Sequence, residues 1–303
     1  MQNRYNDLNT YLRSIFGCRV QKITLDAGMG CPNRDGTISD AGCIYCNRKG
    51  SGTGAHALGK SIADQAEEAK RALSRRYKAK KFIAYFQSYT NTYAPPARLK
   101  ALYDQALAID GMVGLSVGTR PDCIDDEKLD LLADYMDRYL VWAEYGLQSA
   151  HDATLRKINR GHDFAAFEKA VKETRRRKIN VCAHVILGLP GETEKEMIET
   201  AKTLSAMDIN GIKIHLLYVV RGTVLHDWYK QGLYRCLTQD QYVELTCRFL
   251  ARLRKDIVIQ RLTGDPHPGE LAAPQWATDK AGTLERIRRT MEERDFRQGI
   301  FDK

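Results

Sequence analysis

Three cysteines, Cys31, Cys43 and Cys46, fall within the sixteen residues CPNRDGTISDAGCIYC at the spacing C-x11-C-x2-C. Thiols this close together, in a stretch rich in Gly, Pro, Asn and Asp, read as metal ligands carried on a loop. Structural zinc takes four ligands in a tetrahedron, so three thiols leave it incomplete unless a remote His or Cys joins them. A 4Fe–4S cluster fits three thiolates differently: they hold three irons, and the fourth stays open for a molecule that binds it. The zinc knuckle remains the alternative. Cys18, Cys123, Cys182, Cys236 and Cys247 are scattered singly and read as ordinary buried thiols, Cys18 being the nearest of them to the loop in sequence.

The elements that must carry this loop alternate along the chain. Short β-rich runs lie at 23–27, 82–87, 113–118, 140–148, 180–188 and 211–219. Between them, amphipathic stretches at 63–76, 97–108, 127–136, 164–177 and 195–207 are long enough for crossover helices. Strands alternating with helices imply a parallel sheet. Six such units are too few for a closed eight-stranded barrel, so the expected fold is α/β, a partial, open (β/α)6 TIM-type barrel. It would span residues 21–225, after an N-terminal segment 1–20 and before a mostly helical C-terminal extension 226–303 interrupted by the turn-rich stretch 261–270. In such barrels the chemistry sits at the C-terminal ends of the strands. The cysteine stretch follows the first strand.

Composition sets outer bounds. Apolar residues make up 43% and charged residues 28% of 303, which suits a chain that buries a core of its own. No run approaches the ~18 apolar residues of a membrane helix, and the N-terminus lacks the apolar core of a signal peptide. A cytoplasmic protein with reduced thiols and no membrane association is expected. The formal charge of +9 favours an anionic partner, with basic clusters at 70–81, 175–178 and 286–289. Each cluster also fits a solvated helix face.

At this point the sequence resembles a family. CPNRDGTISDAGCIYC, with Tyr45 before the last cysteine, is similar to the cluster loop of the radical SAM superfamily. Its long first gap resembles the branch that contains the catalytic subunit of Elongator and the YhcC/YtqA-type proteins. YFQSYTNTYAP (85–95), GTRPD (118–122), EYGLQS (144–149), NRGH (159–162), VILGLPGET (185–193) and KIHLL (213–217) stand at strand ends in the order that branch shows. The resemblance implies two cofactors, a 4Fe–4S cluster and S-adenosylmethionine, whose amino and carboxylate groups chelate the open iron. Electron transfer into the sulfonium then yields a 5′-deoxyadenosyl radical.

It also implies roles. Tyr45 resembles the aromatic residue that contacts the adenine, Gln148 a position that bonds the cofactor, and Arg160 one that pairs with its carboxylate, where a bidentate guanidinium suits the anion. Where the superfamily often has a GGE-like element at the end of the second strand, this chain reads Gln87-Ser88-Tyr89. The sequence departs from the pattern there, and Gln87 and Ser88 are the candidates for receiving the amino group. Gly188 and Leu189 resemble the backbone that lines the adenine; a plain strand-to-helix turn, with Glu192 near the helix start, is the open alternative.

Strand alternation adds residues beyond the resemblance. Glu144 is in phase with Gly146 and Gln148; His184 shares a face with Ile186, and Lys213 with His215 and Leu217. If these faces point inward, Glu144, His184, Lys213 and His215 form a polar ring below the cofactor, in reach of substrate; satisfied core histidines are the alternative. Thr119, Arg120 and Asp122 are open between a helix cap, supplied by Asp122 or Asp125, and an anion contact.

Which substrate meets the radical is left open by the motifs. The basic charge and the branch resembled point to tRNA. YhcC/YtqA-type proteins are associated with converting the 5-carboxymethylaminomethyl side chain of the wobble uridine to the aminomethyl form, and the resemblance implies that step here. Segment 226–303 is too short for an acetyltransferase domain, which sets carboxymethyl addition aside. A flipped base would enter the barrel mouth, with Lys and Arg, Arg221 among them, on the rim. An electron donor such as flavodoxin or ferredoxin is expected. Radical modification of a small metabolite or protein side chain stays open, as does a non-catalytic cluster protein, against which Tyr45, Gln148 and Arg160 argue.

Overall fold

Strand β4, Leu140–Gln148, turns Trp142, Glu144, Gly146 and Gln148 to one side and Val141, Ala143, Tyr145 and Leu147 to the other. The second set packs into the main apolar core under the helices, while the first faces the concave interior. The division runs across the whole sheet in this computed structural model, which describes residues 3–47, 54–267 and 269–302.

The expected strands are β1 Val20–Leu25, β2 Lys81–Phe86, β3 Met112–Thr119, β4, β5 Asn180–Leu187 and β6 Gly211–Leu216, all parallel and paired in chain order. Helices α2 Ile62–Tyr77, α3 Pro96–Leu107, α4 Asp126–Ala133, α5 Asp152–Lys157, α6 Phe164–Arg176 and α7 Glu194–Ala206 make the crossovers that parallel pairing demands. Their starts are written locally. Ser61 and Asp64 cap α2 reciprocally, as Thr193 and Glu196 cap α7, and Asp125 caps α4. Helix α4 stops at Ala133, three residues before the periodicity does, and turns follow it.

A seventh strand extends the sheet. After α8 Val224–Lys230 and α9 Gln239–Leu250, strand β8 Val258–Arg261 pairs parallel with β6, matching Ile212 to Ile259 and, past a bulge, Lys213 to Arg261. Its run DIVIQRL is too short for periodicity to separate strand from helix. Two shorter strands, β7 Val219–Val220 and β9 Leu271–Ala273, form an antiparallel ribbon, and α10 Lys280–Glu293 packs on α9. The turn-rich stretch 261–270, of which Pro268 lies outside the described residues, bends over the open side of the barrel.

Helix α1, Leu8–Phe16, closes the foot of the barrel. Leu12 packs on Val20 and Ile83, Tyr11 meets Trp142 edge-on at 5.9 Å, and Asp7 bridges to Ile259. The interior is therefore layered. Val20, Ile83, Trp142, Cys182 and Val258 form an apolar base; a polar layer centred on Glu144 lies above it; a cavity opens at the strands' C-terminal ends. Cys18 precedes β1 and so sits at the foot, at the other end of the strand from the cysteine loop it adjoins in sequence. Among the described residues no helix is long and apolar enough to cross a membrane.

Candidate active site

The cysteine loop leaves β1 at Asp26, which Gln65 of α2 grips twice: its Oε1 accepts from the Asp26 N–H at 2.8 Å and its Nε2 donates to the Asp26 carbonyl at 2.9 Å. Tight turns then set the thiols, with Arg34 N–H on the Cys31 carbonyl and Cys46 N–H on the Cys43 carbonyl, both at 2.9 Å. The far side of the loop docks on the segment 158–162. Ile44 N–H donates to Ile158, Asn33 Nδ2 to the Asn159 carbonyl at 2.6 Å, and Asn159 Nδ2 to the Gly42 carbonyl at 2.7 Å. One motif thus holds the other in place.

Cys31, Cys43 and Cys46 line one wall of a cavity of about 480 Å³. Among the described residues, the only metal-ligating trio with atoms all within 4.8 Å of one another is Glu144, Cys182 and His184; the loop thiols stand further apart. A single tetrahedral zinc needs its sulfurs about 3.8 Å from each other, whereas a cubane spreads them, one per iron. Three thiols on one loop, with no fourth ligand gathered to them among the described residues, suit a cluster that leaves one iron open better than a four-ligand zinc site. Arg160 Nη1 approaches Cys43 Sγ at 3.7 Å, and its fork holds the Gly146 carbonyl. Burial opposes the Arg160 charge, but Cys43, Tyr45 and Asp122 together outweigh it and raise its pKa above the ordinary value. Burial, with the Cys43 charge, pushes the Cys46 thiol up to about 11, so metal must displace its proton.

Around the same cavity the backbone is strained. Ser88, Tyr89 and Gln148 all line the cavity and all adopt positive φ, at 127°, 56° and 81°. Non-glycine residues hold such angles at a cost, and they gather at ligand sites. Ser88 Oγ and Thr90 Oγ1 are buried there with no hydrogen-bond partner among the described residues. Unmatched polar atoms around a cavity fit a ligand with its own donors and acceptors. Glycine at 146 lets Arg160 and Gln148 close in: a Cβ would stand 2.6 Å from Arg160 Nη2 and 2.8 Å from Gln148 Nε2, and both side-chain ends would have to move.

The floor is one network around Glu144, which has no exposed surface. Its Oε1 accepts from Lys22 at 2.5 Å and from Ser116; its Oε2 accepts from His184 at 2.7 Å and from Lys213. Burial alone would raise the carboxyl, but Lys213 and Lys22 hold it well below the usual carboxylate range. Burial pushes Lys213 down, against the attraction of Glu144. It also lowers His184 to about 4, with Lys213 adding to the effect, and lowers His215 further still with help from Arg261. Both histidines are neutral at pH 7. The Glu144, Cys182 and His184 trio is no metal site, since the two ammonium groups occupy the carboxylate and burial raises the Cys182 thiol.

Tyr45, Gln87, Ser88, Gln148, Arg160, Glu144, His184 and His215 share the cavity with the thiols. Lys213 lies just beneath, its ammonium 3.9 Å from the centre of the Tyr85 ring. Gly188 and Leu189 lie outside the lining: Gly188 bonds Met197 and Tyr234, and Leu189 is buried in an apolar cluster behind the wall. The LPGET stretch is in this respect a strand-to-helix turn, its Glu192 bonded to Ser149 and raised to about 7 by burial. Arg120 is spent on structure, forking onto Asp122 and holding the Arg160 carbonyl at 2.8 Å. Lys22, Arg34, Tyr85, Tyr89 and Arg261 went unread. Lys22 was hidden because β1 starts earlier than its apolar run, and Arg261 because β8 was not recognised.

Comparison with known proteins follows the same lines. A model of the radical SAM superfamily matches residues 28–204, and one of the Radical_SAM C-terminal domain matches 209–293. The uncharacterized protein YtqA of Bacillus subtilis is 40% identical over 99% of this chain and 93% of its own length. Protein YhcC of Escherichia coli is 37% identical over 92% of this chain and 90% of its own. Among solved structures, the archaeal Methanocaldococcus infernus Elp3 with an N-terminal deletion superimposes with a TM-score of 0.68 at 16% identity, over 92% of this chain and 64% of that one.

Proposed function

The chain belongs to the radical SAM superfamily and its YhcC/YtqA-type family, and from that premise we propose that it acts on the wobble uridine of tRNA, converting a 5-carboxymethylaminomethyl side chain to 5-aminomethyl. Its cofactors are a 4Fe–4S cluster and S-adenosylmethionine, which when bound supply a 5′-deoxyadenosyl radical for hydrogen abstraction. The observation that carries the reaction class is the trio of loop thiols lining one cavity, with no fourth ligand gathered to them among the described residues and with Arg160 beside Cys43. What supports tRNA is the full-length relationship to YtqA and YhcC, in the branch the sequence resembles, and the +9 charge.

In this reading Cys31, Cys43 and Cys46 hold three irons. Arg160 pairs with the cofactor's carboxylate, Tyr45 meets the adenine, and Gln148 with Gln87 and Ser88 bonds the remaining polar groups. The strained backbone at Ser88 and Gln148 is what such positioning demands, because a reaction that depends on one geometry gains from rigid contacts. The Glu144 network, in which burial lowers Lys213 to about 7 against the attraction of Glu144, supplies an oriented polar field beneath the reacting groups. Arg221 is exposed and its N–H bonds the Glu270 carbonyl beside the β7–β9 ribbon, and in this reading it meets phosphate on the rim. A flavodoxin or ferredoxin delivers the electron.

The test is anaerobic reconstitution, then incubation with S-adenosylmethionine and dithionite, comparing wild type with Cys43→Ala. 5′-Deoxyadenosine should form in the wild type alone, and tRNA bearing the carboxymethylaminomethyl group should lose it. No 5′-deoxyadenosine from a fully loaded cluster sinks the enzyme reading. Formation with every tRNA side chain intact sinks the tRNA substrate and turns the search to small metabolites or protein side chains.

A further inference from the structure

Arg261 reaches the inner wall of the cavity from β8, where it is the register partner of Lys213. Among the described residues its guanidinium makes no hydrogen bond and no ion pair. The acids that share the cavity are committed elsewhere. Asp265 pairs with Lys280 at 2.8 Å, Glu270 accepts from Asn47 at 2.8 Å, and Glu144 lies between Lys22 and Lys213. Two ammonium groups already share that one carboxylate, so Arg261 adds to a balance that is positive before it is counted. Its charge bears on His215, His184 and Lys213, disfavouring the protonated form of each.

A planar fork of five donors that lines the cavity beside two further cations, with no acid paired to it among the described residues, is matched in shape and charge to an anion entering from the cavity. We infer that Arg261, backed by Lys213 and Lys22, forms a subsite for a carboxylate borne by the substrate. Arg160 stands apart from it, engaged with Cys43 and the Gly146 carbonyl. Phosphate would match the same fork, but Arg261 belongs to the strand layer beside Lys213, below the rim. A slender side chain reaches that depth more readily than an RNA backbone does. The inference rests on reading this cavity as the place where substrate meets the cofactors, and it adds which residue reads the carboxylate that the proposed side chain carries.

The test uses the full chain, reconstituted anaerobically and loaded with S-adenosylmethionine, as wild type, Arg261→Gln and Arg261→Lys. S-Adenosylmethionine binding, measured on each form, reports whether the fold survives the change. Two anticodon stem-loop RNAs serve as probes, identical except that the wobble side chain ends in a carboxylate or in the corresponding amide. Wild type should bind the carboxylate loop roughly tenfold or more tightly than the amide loop. Arg261→Gln should lose that preference, and Arg261→Lys should keep part of it. A preference that survives Arg261→Gln overturns the subsite. Equal weakening of both loops also overturns it, because the guanidinium then serves a phosphate. If wild type binds neither loop, the tRNA reading fails separately, and calorimetry with N-methylglycine against its amide decides the subsite. Selectivity for the acid that Arg261→Gln abolishes upholds it; no selectivity in wild type overturns it.

Discussion

Glu144 is the residue on which the interior turns, since Lys22, Ser116, His184 and Lys213 all bond to it, and it has no exposed surface of its own. Glu144→Gln keeps the shape and removes the charge, leaving two buried ammonium groups uncompensated. Breaking such a pair from one side costs about 3–5 kcal/mol, so urea unfolding should show a loss of that order, partly recovered by adding Lys213→Met. Gly146→Ala acts differently. Its Cβ would meet Arg160 Nη2 at 2.6 Å, so the guanidinium must leave the Gly146 carbonyl. Calorimetry should find S-adenosylmethionine binding weakened roughly tenfold, the loss of one charge-assisted contact, with the circular dichroism unchanged. The alternation of β4 and β5 made Glu144 and His184 readable as inward residues, whereas Lys22 sits outside the apolar run that announced β1. Arg261 lies on a strand with no legible period.

At the scale of elements, the cysteine loop has no regular structure of its own and borrows rigidity from its neighbours. Gln65 on α2 fixes its start, and residues 158–162 fix its far side. Gln65→Ala leaves the Asp26 N–H and carbonyl without these partners at a buried position, which costs about 1–3 kcal/mol per unsatisfied group. Amide hydrogen exchange at Asp26 should quicken, and iron should be lost faster to a chelator, while the helix content holds. No sequence rule pairs Gln65 with Asp26, because the contact spans 39 positions and depends on how α2 packs against β1. Helix caps are the opposite case. Ser61 with Asp64 and Thr193 with Glu196 are three residues apart, so their chemistry is written in the local sequence.

For the whole molecule, the buried titrating groups set how stability follows pH. His184, lowered to about 4, and His162, lowered to about 3 chiefly by burial, are neutral in the native state and charge readily once unfolded. Their contribution is complete above pH ~6.5 and is lost as pH falls through the native values, on the order of 3 kcal/mol for His184 alone. Glu192, raised to about 7, works the other way: its contribution is present below pH ~4.5 and lost as pH rises through 7. Urea unfolding should therefore show stability falling from pH 6.5 toward 4, and Glu192→Gln should steepen that fall by removing the opposing titration. Charge also distributes differently over the surface than its sum suggests. Arg175, Arg176 and Arg177 are paired with acids, as are Arg286, Arg288 and Arg289. Helix α2 ends just before β2, so Lys78 and Lys80 lie at the foot of the barrel, away from the cavity mouth. The sequence by itself determined the alternation of strands and helices, the thiol loop and its place after the first strand, and the inward polar positions on β4, β5 and β6. Each of these is set by local spacing or by a period of two. Tertiary structure alone decided that β8 joins the sheet, that 261–270 folds over the cavity, that two lysines share Glu144, and that Arg261 is left without an acid partner among the described residues. Those facts depend on contacts between residues far apart in the chain, which burial brings together and which no local pattern encodes.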